Sequence, residues 1–243
     1  MINKLNIYEN YYSWWKNIDK TILFIIISFF VAGLFFSLVS TSLIASDRLN
    51  TNSYYFFIKH LIFILFGLSI MFLFSLVKEN YLIKLSIIFF ILSFFFLLLV
   101  PIIGIEVKGS KRWLDLPFLP RFQPVELIKP FYIVILSSLL NHQKYNLYFK
   151  YLLTLFLIIP IILLLISQPD IGQSILIILT WLALVFVSGI NLIIFFSLFG
   201  IFILLLSYLI FFVEKFNYIK IRISSFFDSS SNNNFQSEKA SEA

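Results

Sequence analysis

Long apolar runs separated by short polar stretches dominate the chain. An α-helix needs about 20 apolar residues to cross the hydrocarbon core of a bilayer. Runs of about this length predict seven transmembrane helices: Thr21–Ala45, Tyr54–Val77, Tyr81–Gly104, Pro124–Leu140, Tyr151–Ser167, Ile171–Gly189 and Leu192–Val213. Because the runs are continuously apolar and do not alternate as barrel strands do, the predicted fold class is an all-α polytopic membrane protein.

The fifth and sixth runs are separated only by Gln168, Pro169 and Asp170. Proline lacks a backbone N–H and disfavours helical geometry in the residue before it. A single kinked helix across both runs would be far too long for one bilayer, so the sequence predicts a tight turn between two spans. Aspartate is a favoured N-cap residue, which makes helix capping the favoured local role of Asp170 without excluding a second role.

Composition supports lipid as the solvent of this chain. Hydrophobic residues make up 60% of it and charged residues 12%, whereas soluble domains are about 45–50% apolar and about 25% charged. The absence of cysteine excludes a disulfide framework, a thiolate metal site and a cysteine nucleophile. The net charge is +6, and the basic residues lie between the apolar runs. This placement favours anionic lipid over nucleic acid as the partner. No cofactor or metal motif is visible.

The predicted organisation has three parts: a cytoplasmic N-terminal segment (1–20), a membrane domain (21–213) with a basic external loop (105–122), and an external polar loop (214–243). A cytoplasmic N-terminus is favoured by Lys4, Lys16 and Lys20 before the first span, against Arg48 after it. The loop 105–122 then lies outside, although its basic residues break the positive-inside rule. We expect an external anionic ligand there; the alternative is a span count that is wrong by one.

Charged residues at membrane depth usually pair or line a cavity. Glu126 and Lys129 are three residues apart on one helix face, close enough to pair. Either a structural ion pair or the lining of a substrate cavity would explain them.

Lys111 and Arg112 precede Trp113 in the basic loop. Cations bind phosphate and tryptophan lies well at a membrane interface, so the segment suits a pyrophosphate-bearing lipid head group. Ordinary attraction to anionic phospholipid is the alternative.

Four stretches resemble signature motifs of the SEDS (shape, elongation, division, sporulation) family. Residues 109–116, 122–129, 167–174 and 222–228 are similar to its G-x-x-R-W, Q-P-x-E-x-x-K, Q-P-D-x-G and R-x-x-x-F-x-(D/N) motifs, in that order. The cell-division members match better than the rod-shape members, because Trp14-Trp15 before the first helix and the stretch 235–240 both look like theirs.

The resemblance implies a bundle of about ten membrane helices with a cytoplasmic N-terminus in the bacterial inner membrane, acting at the division septum. It implies polymerisation of lipid II into glycan strands, in complex with a class B penicillin-binding protein and other membrane proteins of the divisome. A base would deprotonate the acceptor 4-hydroxyl as the pyrophosphate leaves. The implied substrate-binding residues are Lys111, Arg112, Trp113, Glu126, Lys129 and Asp170.

The chain departs from the family in one respect. The family's presumed catalytic aspartate lies farther along, in a P-E-x-x-T-D-F stretch, and this sequence reaches Ala243 before any such stretch. We therefore assign no catalytic residue, and we expect an N-terminal fragment or a truncated reading frame without polymerase activity of its own. A divalent cation held at the missing loop would leave no trace here. A lipid II translocase (flippase) and a non-catalytic divisome scaffold remain the alternative functions.

Overall fold

A computed structural model describes residues 12–41, 54–107, 110–117 and 120–221. The long helices in these residues are α1 (Lys20–Thr41), α2 (Tyr55–Ser75), α3 (Glu79–Ile103), α4 (Pro124–Asn141), α5 (Leu147–Ser167), α6 (Ile171–Val187) and α7 (Leu192–Phe212). Six of them are long and apolar enough to cross a membrane. The helical, polytopic class is thereby confirmed. Helix α6, with 17 residues, is about 26 Å long at 1.5 Å per residue, slightly short of a bilayer core of about 30 Å.

Two helix ends differ from the predicted spans for identifiable reasons. Helix α5 begins at Leu147, four residues before the predicted Tyr151, and so includes a lysine. The ammonium of Lys150 donates to the backbone carbonyl of Leu140, 2.9 Å away, so the charge caps the end of α4 and the lysine is accommodated in the helix. Helix α6 ends before Gly189, whose φ of +88° turns the chain in a conformation that suits glycine.

Contacts divide the chain into two units, Met1–Leu82 and Ile83–Ala243. In the described part of the first unit, α1 and α2 pack with the start of α1 beside the end of α2. The indole N–H of Trp14 donates to the Ser75 hydroxyl over 3.1 Å, just before α1 begins. Nearly all the apolar surface of these two helices is exposed, as expected of helices whose solvent is lipid.

The second unit has a core between α3, α4, α5 and α6. The buried residues of α4 recur at intervals of three or four, for example Ile128, Tyr132 and Leu136, which is the spacing of one helical face. The indole N–H of Trp181 on α6 donates to the Thr154 hydroxyl on α5 over 3.1 Å, which pairs two polar groups inside this core. Together these contacts fix α6 beside α4 and α5.

The predicted loop 105–122 contains a β-hairpin that the all-helical prediction did not include. Strands β1 (Ile105–Val107) and β2 (Ser110–Trp113) pair antiparallel, and Leu114 and Phe122 form a further bridge. Leu114 is fully buried, which anchors the hairpin to the unit. Strands of three and four residues carry too little hydrophobic alternation to be recognised in a sequence.

Candidate functional site

Strand β2 separates the three adjacent residues that were predicted to bind substrate together. Ser110 and Arg112 are half-buried, while Lys111 and Trp113 on the opposite face are exposed. Successive side chains of a strand point to opposite faces. Arg112 therefore turns towards the helices, and Lys111 and Trp113 turn outward.

Arg112 reaches the turn between α5 and α6, where it joins Gln123 and Asp170 in what we term the aspartate cluster. A terminal guanidinium nitrogen of Arg112 donates to the carbonyl of Pro169, and its Nε lies 3.7 Å from Asp170 Oδ2. The side-chain amide of Gln123, just before α4, donates to the same Oδ2 over 2.8 Å. Asp170 is only 5% exposed, so the Gln123 hydrogen bond and the nearby Arg112 charge help to stabilise its negative charge.

The favoured capping role of Asp170 is wrong in its main feature. Asp170 occupies the N-cap position of α6, but its side chain makes no capping hydrogen bond of ordinary geometry. The nearby backbone N–H of Gln173 contributes only a secondary stabilisation of its charge, after that of Arg112. Burial raises the pKa of the Asp170 carboxyl above its ordinary value of 3.8, and the Arg112 guanidinium is the strongest influence that lowers it. The carboxylate of Asp170 thus contacts the hairpin and the start of α4 more than it caps its own helix.

Glu126 and Lys129 form the predicted ion pair, with Lys129 Nζ 2.5 Å from Glu126 Oε2. A third residue, which the sequence argument did not single out, joins them. The amide nitrogen of Gln173 on α6 donates to Glu126 Oε1 over 2.7 Å, and Lys129 Nζ donates to the Gln173 carbonyl oxygen over 3.2 Å. Glu126, Lys129 and Gln173 thus close a ring of contacts that we term the charged triad.

The aspartate cluster and the charged triad are successive rungs between two parallel helices. Gln123 contacts Asp170 and Glu126 contacts Gln173, and both pairs are separated by 47 residues. Each helix advances by three residues from one rung to the next, so both present one face to the other. This arrangement concentrates polar and charged groups at the same end of α4 and α6, beside the hairpin.

Two further residues that the sequence argument missed support the same turn. Gln168, buried at the end of α5, donates to the backbone carbonyl of Leu97 over 3.4 Å. The hydroxyl of Tyr218 donates to the Pro169 carbonyl over 3.1 Å. The Gln-Pro pairs at 123 and 168 give a sequence signal for the glutamines, but no local pattern marks Tyr218.

The described part of the chain contains no group of three His, Cys, Asp or Glu side chains close enough together to hold a metal ion. The carboxylates of Asp170 and Glu126 already contact Arg112 and Lys129. The predicted motif at 222–228 lies outside the described residues, as does the stretch 235–240.

Comparison with known proteins matches residues 20–241 to the FtsW/RodA/SpoVE family, described as "Cell cycle protein". A protein of Wigglesworthia glossinidia brevipalpis named "Probable peptidoglycan glycosyltransferase FtsW" is 31% identical over 177 residues, 72% of this chain and 46% of that protein. Its namesake from Coxiella burnetii (strain RSA 493 / Nine Mile phase I) is 33% identical over 179 residues, 72% and 48% of the two chains. The chain spans about half the length of these curated relatives.

Solved structures show the same fold. The crystal structure of the Thermus thermophilus rod shape determining protein RodA is 27% identical with a TM-score of 0.54, over 72% of this chain and 58% of that one. A chain from a peptidoglycan synthase complex, solved for the "structural coordination of polymerization and crosslinking", aligns with a TM-score of 0.60 at 24% identity, over 82% and 60%. The chain therefore belongs to the FtsW/RodA/SpoVE family of cell cycle proteins, the SEDS family that its motifs resemble.

Proposed function

We propose that this chain acts in cell division as part of an FtsW-type peptidoglycan glycosyltransferase that polymerises lipid II into glycan strands. Family membership and the names of the relatives support this proposal. The observation that carries it is the aspartate cluster, in which Arg112, Gln123 and Asp170 from three separate motif stretches meet at the α5–α6 turn.

The cluster suits a pyrophosphate-bearing substrate. Glycosyl transfer from such a carrier builds negative charge on the leaving pyrophosphate, which oriented cations stabilise. Arg112 is held on one side by Asp170 and Pro169 while its side chain stays 29% exposed, so its fork can bind further oxygens. Because Gln123 and Arg112 both hold the Asp170 carboxylate, we give Asp170 the role of orienting Arg112, and we assign the base that deprotonates the acceptor hydroxyl to no described residue.

The depth of the polar groups favours polymerisation over translocation. From Gln123 to Lys129 the polar face of α4 spans six residues, about 9 Å at 1.5 Å per residue, against a hydrocarbon core of about 30 Å. Beyond Lys129 the inward residues of α4 are Tyr132, Leu136 and Leu140. A lipid II translocase would need a polar path across the whole bilayer. Within the described helices, the polar face of α4 stops well short of that length.

The setting of this activity forms part of the same proposal. We place the protein in the bacterial inner membrane at the division septum, with a cytoplasmic N-terminus and an external hairpin. Its partners are a class B penicillin-binding protein and other divisome membrane proteins, with a divalent cation as a candidate cofactor. The positive-inside bias of Lys16 and Lys20 supports the orientation.

The test uses the full chain in lipid nanodiscs and liposomes with fluorescent lipid II. We measure lipid II binding, glycan formation with and without a class B penicillin-binding protein, and movement of lipid II between leaflets. Binding that Arg112→Ala weakens more than Arg121→Ala supports the proposed site, and equal effects indicate general attraction to the basic loop. Lipid II binding at Arg112 supports the glycosyltransferase whether or not this chain forms glycan by itself. Movement of lipid II between leaflets would favour the flippase, and recruitment of the partner without lipid II binding would favour the scaffold.

A further inference from the structure

We propose that Gln173 is a positioning residue that holds the Glu126–Lys129 pair of α4 against α6, so that Lys129 is presented to the substrate in one orientation. This inference rests on the proposed function, since it concerns the same site. Gln173 contacts both members of the pair, through its amide nitrogen at 2.7 Å and its carbonyl oxygen at 3.2 Å.

The chemistry of the three side chains allows only one arrangement of the Gln173 amide. A carboxylate only accepts hydrogen bonds and an ammonium only donates them. The Gln173 nitrogen must therefore face Glu126 and its oxygen must face Lys129, as observed. An i,i+3 ion pair whose carboxylate is half-exposed is weak by itself, and the bridge from a second helix supplies a further restraint.

The local sequence would have given Gln173 a different role. Glutamine three residues after an N-cap typically reaches back to the N-cap backbone N–H in a capping box. Here the N–H of Asp170 is already bound to the carbonyl of Leu165, at 2.9 Å. The turn after α5 thereby leaves the Gln173 side chain available for α4.

The groups around Gln173 make a rescue experiment possible. Gln173→Leu keeps helix propensity and removes both contacts. Gln173→Glu places a second carboxylate against Glu126, whereas the double substitution Glu126→Gln with Gln173→Glu restores one carboxylate, one amide and one ammonium. Thr180→Val is the matched control, because among the described residues the Thr180 hydroxyl bonds within α6, to the Leu176 carbonyl at 2.8 Å.

We measure fluorescent lipid II binding and thermal unfolding for each variant in nanodiscs. Gln173→Leu should weaken binding about tenfold, the equivalent of about 1.4 kcal/mol and close to the range for hydrogen bonds to charged groups. Gln173→Glu should weaken it more, the double substitution should restore it to within about threefold, and Thr180→Val should leave it unchanged.

The outcomes separate the two proposals. A double substitution that regains thermal stability without regaining lipid II binding would overturn the positioning role, as would Gln173→Leu behaving like Thr180→Val. If the unaltered protein binds no lipid II, the proposed function fails. The thermal data then still decide whether Gln173 and Lys129 are coupled, because a double-mutant cycle with Lys129→Met needs no substrate.

Discussion

Removing Arg112 tests whether the aspartate cluster is held together by a buried charge pair. Arg112→Ala leaves the Asp170 carboxylate with the Gln123 amide as its remaining side-chain partner in the cluster. Breaking a fully buried ion pair costs about 3–5 kcal/mol, and an exposed pair is worth about 0–1 kcal/mol. With side chains 29% and 7% exposed and a separation of 3.7 Å, this pair lies between the two limits. We expect a loss of about 2 kcal/mol at neutral pH.

The loss should depend on pH in a defined direction. In the folded protein the pKa of Asp170 is raised above 3.8 by burial and pulled down mainly by Arg112. A raised pKa means that the folded state binds the proton more tightly, so the stability that this group confers falls as pH rises above 3.8. Without Arg112 the pKa of Asp170 in the folded protein rises further, so the stability falls over a wider range of pH. The difference between the two proteins should therefore be small in acid and largest near neutral pH.

The assay is reversible unfolding by dodecyl sulfate in mixed micelles, followed by tryptophan fluorescence between pH 4 and 7. Arg121→Ala is the matched control, because Arg121 lies only 2.8 Å from Asp115 but in an exposed pair, with side chains 64% and 43% exposed. We expect it to change the free energy of unfolding by less than about 1 kcal/mol. An equal loss for both variants, or a loss for Arg112→Ala that does not vary with pH, would refute the argument from burial.

Three further substitutions, with Phe156→Ala as an exposed control, test the packing that positions the site by the same unfolding measurement. Trp181→Phe removes the buried indole bond to Thr154 and should cost about 1–2 kcal/mol, because the hydroxyl loses its donor. Leu136→Ala empties a fully buried position and should cost about 2–5 kcal/mol, whereas Phe156→Ala, at a site 79% exposed, should cost much less. Gly104→Ala should also destabilise the protein, because its Cβ would overlap the backbone carbonyl oxygen of Val100.

Hydropathy was sufficient to predict the helices because lipid imposes one strong constraint on every span. Each run must satisfy its own backbone hydrogen bonds and present apolar side chains, and this constraint is visible in any window of about 20 residues. It does not set the helix ends. The early start of α5 depends on a tertiary contact, between Lys150 and the end of α4, which no window of sequence contains.

The candidate site was predicted only where its contacts are local. The pairing of Glu126 with Lys129 follows from helical spacing and is confirmed. The partners of Arg112 and Gln173 lie 44 to 58 residues away in sequence, and they depend on how α4, α6 and the hairpin pack. For Asp170 the local rule was misleading, because the half-buried Arg112 and the Gln123 amide contact the carboxylate that would otherwise cap α6.

The two rungs between α4 and α6 should behave as separate energetic units. Arg112 and Gln123 both contact the same oxygen of Asp170, whereas the side chain of Gln173 bonds to Glu126 and Lys129. Residues that share a partner are typically coupled by 0.5–3 kcal/mol, and independent sites add to within about 0.3–0.5 kcal/mol. We therefore expect coupling between Arg112→Ala and Gln123→Leu, and additivity between Arg112→Ala and Gln173→Leu.

Apart from the backbone N–H of Gln173, which a side-chain substitution retains, the negative charge of Glu126 links the two rungs electrostatically. It raises the pKa of Asp170, but it is the weakest of the influences on that group, and Lys129 neutralises it at 2.5 Å. Double-mutant cycles on the free energy of unfolding measure both couplings. Strong coupling between Arg112 and Gln173 would mean that the two rungs form one network, and the lipid II binding lost in Gln173→Leu would then report on Arg112 as much as on Lys129.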